Sequence, residues 1–190
     1  MSIEKLEHLF YCLETRGNRS YGLTGVSQLE HALQSAELAA SENLGETLII
    51  AALFHDVGHL FAQIACDGDV DLAGRGINDC HEDRSASILM PLFGFPVSEP
   101  VLLHVEAKRY LCTIEPEYRQ QLAPQSVKSL QLQGGVMTSD EVQVFQSNPY
   151  HESAVLLRRI DDEARKPGKA VPELASYFSI AEGLLPASVA

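Results

Sequence analysis

One stretch of the sequence is apolar on every face of the helix that its spacing predicts. It runs from Leu48 to Leu53 and continues directly into His55-Asp56. A helix that is hydrophobic all round is stable only when other elements surround it. The other apolar residues recur at helical intervals, and no alternation typical of strands is evident. We therefore expect an all-α fold, a helical bundle with this stretch at its centre.

Capping and breaking residues predict where the remaining helices begin and end. Ser27-Gln-Leu-Glu30 has the capping-box pattern that opens a helix, and Gly134-Gly135 is typical of a helix stop. Further helices are expected to begin near His81 and Ser98 and to cover Pro116–Leu122, Ser126–Gln133, Ser139–Gln146, Tyr150–Ala164 and Pro172–Leu185. The length suits one domain, and no linker or repeat is evident, so residues 1–190 are expected to form a single domain.

Composition limits the partners and the location that we expect. The chain carries 14 Lys+Arg and 26 Asp+Glu, a net charge of −12 that repels a nucleic acid. No apolar run approaches the roughly 18 residues of a transmembrane helix, so no membrane is expected. The four cysteines form no CxxC pair and the N-terminal residues show no secretory pattern, which predicts reduced thiols in the cytoplasm. No partner protein is evident.

Four histidines recur at intervals of about one helix and one loop. The gaps from His31 to His55, from His55 to His81 and from His81 to His104 are 24, 26 and 23 residues. In a bundle, successive helices can therefore each return one imidazole to the same interior point. This ordered set is more specific than any single histidine, which is commonly a core or surface side chain.

Two aspartates complete this set. Asp56 adjoins His55, and its two carboxylate oxygens can bridge a pair of metal ions, which an imidazole cannot do. Asp161 follows a basic pair on a late helix and supplies a second carboxylate. Four histidines and two aspartates without a thiolate suit iron, manganese or zinc. The sequence therefore predicts a buried dinuclear metal site.

The order His31…His55-Asp56…Asp161 resembles the HD-domain pattern, a helical, metal-dependent superfamily made mostly of phosphohydrolases. The chain more closely resembles the HD-domain mixed-valence diiron oxygenases that cleave organophosphonates. The matching stretches extend from Tyr21 to Asp161. They are SQLEH ending at His31, AALFHDVGH ending at His59, His81 alone, HVEAKRYL from His104, SVKSLQLQGG from Ser126 and RRID ending at Asp161. The HD pair alone is common, whereas these stretches together are specific to that branch.

This resemblance implies two iron ions in the mixed-valence Fe(II)/Fe(III) state, a small organophosphonate as substrate and O₂ as co-substrate. The first iron would be held by His31, His55, Asp56 and Asp161. The second would be held by Asp56, His81 and His104, so that Asp56 bridges the two. Tyr21 matches a tyrosine that occupies the second iron until substrate displaces it.

Helical spacing also places cations beside the predicted ligands. Lys108 lies one turn after His104, and Arg158 lies one turn before Asp161. Two such cations in an acidic chain indicate a pocket for an anion. In the family the corresponding positions surround the phosphonate, and here they are His59, Lys108, Ser126, Ser129, Gln133 and Arg158. The residues expected to take part in catalysis are Tyr21, His59 and Lys108.

One position departs from the aminophosphonate-cleaving members. They carry a glutamate for the substrate's ammonium group three residues after the tyrosine, where this sequence has Thr24. A primary ammonium has three donors that favour a carboxylate, whereas a trimethylammonium has none and needs room. With Thr24 as a substrate contact, the expected substrate is (R)-1-hydroxy-2-(trimethylammonio)ethylphosphonate, cleaved to glycine betaine and phosphate. The alternative substrate is 2-amino-1-hydroxyethylphosphonate.

Two other functional classes stay open at this point. An HD phosphohydrolase would use the same ligands, with a metal-activated water as nucleophile. A helical domain that only binds a metal or senses a ligand would need no turnover at all. Consumption of O₂ coupled to release of phosphate separates an oxygenase from both.

Overall fold

A computed structural model of the chain describes residues 2–18, 25–61 and 76–186. Ten α-helices and no strand lie within those ranges, which confirms the expected all-α class. The helices are α1 (Ser2–Arg16), α2 (Gln28–Ser41), α3 (Glu46–Phe54), α4 (His81–Phe93), α5 (Phe95–Ile114), α6 (Pro116–Gln121), α7 (Pro124–Leu132), α8 (Ser139–Ser147), α9 (His151–Glu163) and α10 (Phe178–Gly183). None of these described helices is long and apolar enough to cross a bilayer.

Helix α3 lies at the centre of the bundle, as its sequence predicts. Every residue from Leu48 to Phe54 is buried, and the helix packs against α2, α5 and α9. The first core cluster forms around it, with Phe10 of α1 lying edge-on to both Phe54 and Phe178 at ring-centroid distances of 5.3 and 5.1 Å. Such edge-to-face contacts stabilise aromatic cores.

A second core cluster surrounds the C-terminal half of α5. It joins α5 to α7, α8 and α9 through Leu111, Leu130, Phe145 and Ala154. On α5, Val101 belongs to the first cluster and Ala107 to the second. The buried His104, which lies between these two residues on α5, is therefore placed where the two apolar cores meet.

Most predicted helix boundaries agree with the structure. The Ser27 hydroxyl accepts a hydrogen bond from the Glu30 N–H at 3.1 Å, and the Glu30 carboxylate accepts one from the Ser27 N–H at 2.7 Å, which confirms the capping box. Helix α7 stops at Gly134-Gly135, where both glycines have positive φ and the Gly135 N–H donates to the Leu130 carbonyl.

Three boundaries were predicted wrongly. Helix α5 begins at Phe95 rather than Ser98, because Gly94 with φ 68° redirects the chain and Pro96 fits the first turn. The continuous helix expected from Pro172 is instead a 3₁₀ turn over Leu174–Tyr177 followed by α10. Helix α3 was expected to continue into His55-Asp56 but ends at Phe54. His55 and Asp56 follow it, and a 3₁₀ turn continues over Val57–Phe61.

Candidate metal centre

Four buried histidines that are far apart in the sequence converge as two pairs. His31 of α2 and His55 after α3 place their Nε2 atoms 3.2 Å apart. His81, the first residue of α4, and His104 of α5 place theirs 3.2 Å apart as well. The fold therefore brings together the four histidines whose convergence was predicted from their spacing in the sequence.

Asp56 lies between the two pairs. Its Oδ2 is 3.7 Å from the His31 Nε2 and 3.5 Å from the His55 Nε2. Its Oδ1 is 3.3 Å from the His81 Nε2 and 3.8 Å from the His104 Nε2. One carboxylate oxygen thus faces each pair, which is the arrangement that a bridging ligand requires.

Asp161 of α9 joins the first pair only. Its Oδ1 is 3.2 Å from the His31 Nε2 and 3.8 Å from the His55 Nε2. Two groups of side chains could therefore each hold an ion, with ligand atoms that all lie within 4.8 Å of one another. They are His31, His55, Asp56 and Asp161 in the first group, and Asp56, His81 and His104 in the second.

The orientation of three histidines fits a metal in this cluster. Their Nδ1 atoms lie close to main-chain carbonyl oxygens, at 2.7 Å from His31 to Ala164, 2.8 Å from His55 to Ala52 and 2.6 Å from His104 to Val101. A carbonyl oxygen only accepts, so each Nδ1 carries the hydrogen and each ring turns its Nε2, whose lone pair can bind a metal, inward. Lone pairs that face each other repel unless a cation lies between them.

The protonation of the cluster also suits a cation. Burial opposes ionisation of Asp161, yet Arg158 and Arg165 hold the pKa of its carboxyl well below the usual range. The neighbouring histidines likewise lower the pKa of Asp56 despite its burial. Burial, followed by the charges of His81 and His55, lowers the pKa of His104 to about 3, so this imidazole is neutral. Ionised carboxylates beside a neutral imidazole are metal ligands in their binding form.

Gly58 brings Asp56 close to His81, a role that sequence reasoning missed. Its N–H donates to the Ser85 hydroxyl at 2.8 Å, and its carbonyl accepts from the Arg84 Nε at 3.1 Å. A Cβ at this position would lie only 2.2 Å from the His81 carbonyl oxygen. Only glycine therefore lets the turn after α3 pack so closely against the start of α4.

His59 lies on the 3₁₀ turn beside the second pair of histidines. Its ring stacks on the His81 ring at a centroid distance of 4.1 Å and an interplanar angle of 15°, and its Nε2 is 3.9 Å from the Asp56 Oδ1. Although His59 follows His55 by four residues, the two do not share one regular helix, because α3 ends at Phe54. Asp79, a second residue that sequence reasoning missed, contacts both rings, and its position two residues before His81 was the available signal.

Lys108 and its expected neighbours do form one cluster. The Lys108 side chain is buried, and its Nζ donates to the Ser129 hydroxyl at 2.9 Å and to the Gln133 side-chain oxygen. The Ser129 hydroxyl in turn donates to the Ser126 carbonyl at 3.1 Å. Burial, followed by the charge of Arg158, lowers the pKa of Lys108 to about 7.

Arg158 is buried in a network of carboxylates. Its guanidinium contacts the Asp161 Oδ2 at 2.8 Å and both carboxylate oxygens of Asp162. The Arg158 Nε also donates to the Tyr118 hydroxyl at 3.1 Å. With five N–H donors, a guanidinium can make these contacts and still donate to an anion. Arg158 therefore links one predicted ligand, Asp161, to the expected anion pocket.

Two expected site residues, Tyr21 and Thr24, lie outside the described residues. Their expected roles stay predictions. Except for these two, the predicted site residues lie either in the histidine–aspartate cluster or in the adjoining networks of Lys108 and Arg158.

An all-α bundle with a buried cluster of histidines and aspartates defines an HD-type helical protein with a candidate metal site. No protein-family model matches the chain. It is 42% identical over 182 residues to the hydroxymethylphosphonate dioxygenase of Gimesia maris. The aligned residues cover 96% of this chain and 89% of that protein.

Two further relatives match most of the chain. The [1-hydroxy-2-(trimethylamino)ethyl]phosphonate dioxygenase (glycine-betaine-forming) of Leisingera caerulea is 34% identical over 160 residues, 84% of this chain and 80% of that protein. An uncharacterized protein of Acanthamoeba polyphaga mimivirus is 30% identical over 180 residues, 94% and 80% respectively. The chain therefore belongs to the phosphonate dioxygenases. It is an oxygenase that acts on a phosphonate with O₂, and its buried cluster indicates a metal cofactor.

Proposed function

We propose that this protein is a diiron oxygenase that cleaves the C–P bond of hydroxymethylphosphonate with O₂. Formate and inorganic phosphate, the proposed products, account for both oxygen atoms of O₂. The position of Asp56, with one oxygen toward each histidine pair, is the observation that carries the dinuclear centre. The Gimesia maris relative supports the substrate, because its match covers 96% of the chain at 42% identity.

The proposed ligands follow the two groups of the cluster. His31, His55, Asp56 and Asp161 would hold the first iron, and Asp56, His81 and His104 the second. An Fe(II)/Fe(III) pair supplies the one-electron chemistry that activates O₂, which no side chain can supply. The ligand set of imidazoles and carboxylates without thiolate supports iron among the metals that such sites bind.

The chain's own cations would bind and orient the phosphonate. Lys108 is held by Ser129 and Gln133, so its ammonium is fixed in place before an anion arrives. Arg158 is held by Asp161 and Asp162. Charge-assisted hydrogen bonds from two buried cations are strong because little water competes with them. These residues would hold the carbon atom of the C–P bond beside the metals.

The residues next to the second histidine pair would contact the reacting part of the substrate. The His59 side chain is 26% exposed and its Nε2 faces Asp56, so a substrate hydroxyl at the second metal position can reach it. Ser126 would support this pocket through its hydrogen bond with Ser129. Tyr21 is proposed to occupy the second metal position until substrate displaces it. Thr24 is proposed to contact the part of the substrate that lies farthest from the phosphonate group.

The trimethylammonio substrate expected from Thr24 is a second candidate. It is supported by the Leisingera caerulea relative, at 34% identity over 84% of the chain. A threonine where other members have a glutamate argues against a primary ammonium. Because hydroxymethylphosphonate has no ammonium group at all, Thr24 is equally compatible with it, and overall identity then favours the smaller substrate.

A substrate comparison tests the proposal. The protein is loaded with Fe(II) without oxygen and then exposed to O₂ with hydroxymethylphosphonate, the trimethylammonio compound or 2-amino-1-hydroxyethylphosphonate. We expect the highest kcat/KM with hydroxymethylphosphonate, with one O₂ consumed for each formate and phosphate formed. Preference for the trimethylammonio compound, with glycine betaine as product, would select the second candidate. Phosphate release without O₂ would instead indicate a phosphohydrolase.

A further inference from the structure

Asp79 contacts two imidazoles of the candidate centre with one carboxylate. Its Oδ1 is 3.0 Å from the His81 Nδ1, and its Oδ2 is 2.7 Å from the His59 Nδ1. Arg84, in the first turns of α4, donates to the Asp79 main-chain oxygen and lies 3.5 Å from the same carboxylate. The carboxylate is therefore fixed from one side and holds both rings on the other.

The shared carboxylate explains why the two rings lie parallel. His59 and His81 stack at 4.1 Å with an interplanar angle of 15°. Because each Nδ1 points to Asp79, each Nε2 points to the opposite side, at 3.9 Å and 3.3 Å from the Asp56 Oδ1. Asp79 thus determines which nitrogen of each ring faces the second metal position.

The backbone between Asp79 and His81 is strained. Cys80 has φ 49° and ψ 43°, the left-handed region that residues other than glycine rarely adopt. This turn directs the Asp79 side chain back onto the ring of His81 at the start of α4. Strained residues persist where surrounding contacts hold them, and they concentrate at functional sites.

The other three histidines of the cluster are oriented differently. Each of their Nδ1 atoms lies against a main-chain carbonyl oxygen. Among the hydrogen-bond partners found in the described residues, the Nδ1 of His81 differs from these three because it lies against a side-chain carboxylate. A carboxylate partner fixes the tautomer of a metal-binding histidine and makes it a stronger ligand.

We propose that Asp79 is a positioning residue for the second metal position, where it orients His81 as a ligand and His59 beside it. This inference rests on the proposed function, because it requires an ion between Asp56, His81 and His104. His59, Asp79 and His81 also form a group that could itself hold an ion. Their contacts of 2.7 and 3.0 Å are hydrogen-bond distances, which favours the positioning role.

Metal titration of Asp79→Asn tests the inference. The probe is Fe(II) added without oxygen to the metal-free protein, and calorimetry measures the number of ions and the affinity of each. We expect wild type to bind two ions. In Asp79→Asn the second ion should bind about 10- to 100-fold more weakly, with the first unchanged. This selective loss, with an unchanged circular-dichroism spectrum, is a result that general destabilisation would not produce.

Glu82→Gln is the matched control. The Glu82 Oε2 lies 3.4 Å from the same His81 Nδ1 but makes no hydrogen bond to any of the described residues. Both variants remove one carboxylate charge near one nitrogen, and only Asp79→Asn changes a hydrogen bond to it. We expect Glu82→Gln to change the affinity of the second ion by less than about threefold. An equal effect in the two variants would show that charge alone matters and would overturn the inference.

The remaining outcomes separate this inference from the proposed function. A wild type that binds two ions, with normal affinities in Asp79→Asn, overturns the inference alone. A wild type that binds one ion or none overturns the proposed function and the inference with it. Three ions in wild type, one of them lost in Asp79→Asn, would make Asp79 a ligand and so overturn the positioning role.

A second variant covers the case in which Asp79→Asn does not fold. Arg84→Lys retains the positive charge but removes the guanidinium that contacts the main-chain oxygen of Asp79. We expect the second ion to bind more weakly in Arg84→Lys, by a smaller factor than the loss expected for Asp79→Asn. Unchanged affinity of that ion in folded Arg84→Lys would count against the inference.

Discussion

The two halves of the candidate centre are held in different ways. In the first half, main-chain carbonyls orient His31 and His55, and Arg158 and Arg165 hold Asp161. In the second half, a main-chain carbonyl orients the buried His104 as well, but a side-chain carboxylate orients His81, and the neighbouring His59 is 26% exposed. The first half is thus held by the packed core, whereas the second half also depends on Asp79 and His59, which are nearer the surface.

This difference predicts that substitutions in the two halves will have different effects. Helix packing sets the geometry of the first half, so changes there should affect folding as well as metal binding. The second half lies beside the partly exposed ring of His59, where we expect a substrate to enter. Changes there should affect metal and substrate binding with little effect on folding.

Loss of Asp56 should have the largest effect, because Asp56 belongs to both halves. In Asp56→Ala we expect both ions to bind poorly and turnover to fall below detection, since one oxygen faces each histidine pair. Metal content after anaerobic loading with Fe(II) measures the result. Retention of two ions would show that the halves are independent of this carboxylate.

Asp161→Asn should lower the free energy of unfolding. Arg158 and Arg165 both contact the buried carboxylate of Asp161, and losing one member of a buried ion pair leaves charge uncompensated. We expect a loss of about 2–3 kcal/mol. This is less than the full cost of breaking a buried ion pair, because Arg158 still contacts Asp162. Urea unfolding of chelator-treated protein measures it.

Asp79→Asn is a substitution in the second half of the centre, and its effect on urea unfolding is compared with that of Asp161→Asn. We expect it to lower the free energy of unfolding by only about 1 kcal/mol, because Asp79 is half-buried. A larger loss in Asp79→Asn than in Asp161→Asn would reverse the assignment of the two halves.

Lys108→Met should weaken substrate binding while the fold and the metals are retained. Loss of one charge-assisted contact corresponds to about 1.5–3 kcal/mol, so KM should rise about 10- to 150-fold with a smaller change in kcat. Lys128 lies on α7 and is exposed, so Lys128→Met is the matched control, with KM expected within about twofold of wild type. An unchanged KM in Lys108→Met would remove this residue from the pocket.

The pH dependence of kcat/KM sharpens the test of Lys108. Burial and Arg158 lower its pKa to about 7, so the free enzyme loses this positive charge as the pH rises through that value. The ratio of wild-type to Lys108→Met kcat/KM should therefore be largest below pH 7 and decrease above it. A ratio that does not change with pH would mean that Lys108 keeps its charge.

Gly58 lies where the two halves of the centre meet. Gly58→Ala should give a smaller loss of stability and of metal binding. The added Cβ would lie 2.2 Å from the His81 carbonyl oxygen, so the turn or α4 must shift. We expect the free energy of unfolding to fall by about 1–3 kcal/mol and the second ion to bind less tightly. Gly183→Ala is the control, since its Cβ meets nothing within 4 Å. Similar losses in both variants would argue against the close packing at Gly58.

Spacing in the sequence predicted the histidine cluster because its geometry follows from regular elements. Residues separated by about one helix and one loop can return to the same interior region of a bundle, so His31, His55, His81 and His104 could be grouped without coordinates. Lys108, one turn from His104 on α5, was predictable for the same reason. The all-α class followed from the helical spacing of apolar residues.

The contacts that sequence could not predict depend on irregular backbone and on distant packing. Asp79 contacts His59 and His81 beside a left-handed turn at Cys80, a conformation that nothing in the residue type of Cys80 indicates. The contact between Arg158 and Tyr118 joins residues 40 positions apart through the packing of α6 near α9. Such contacts lie outside the reach of local periodicity.

The contact between Arg158 and Asp161 links the expected anion pocket to the first group of candidate metal ligands through charge. A phosphonate that binds the guanidinium would compete with Asp161 for its positive charge. The Asp161 carboxylate would then carry more of its own negative charge and would be a stronger ligand for an ion at the first position. Binding of a phosphonate at Arg158 would thus change the metal-binding strength of Asp161, although the anion would not touch that carboxylate.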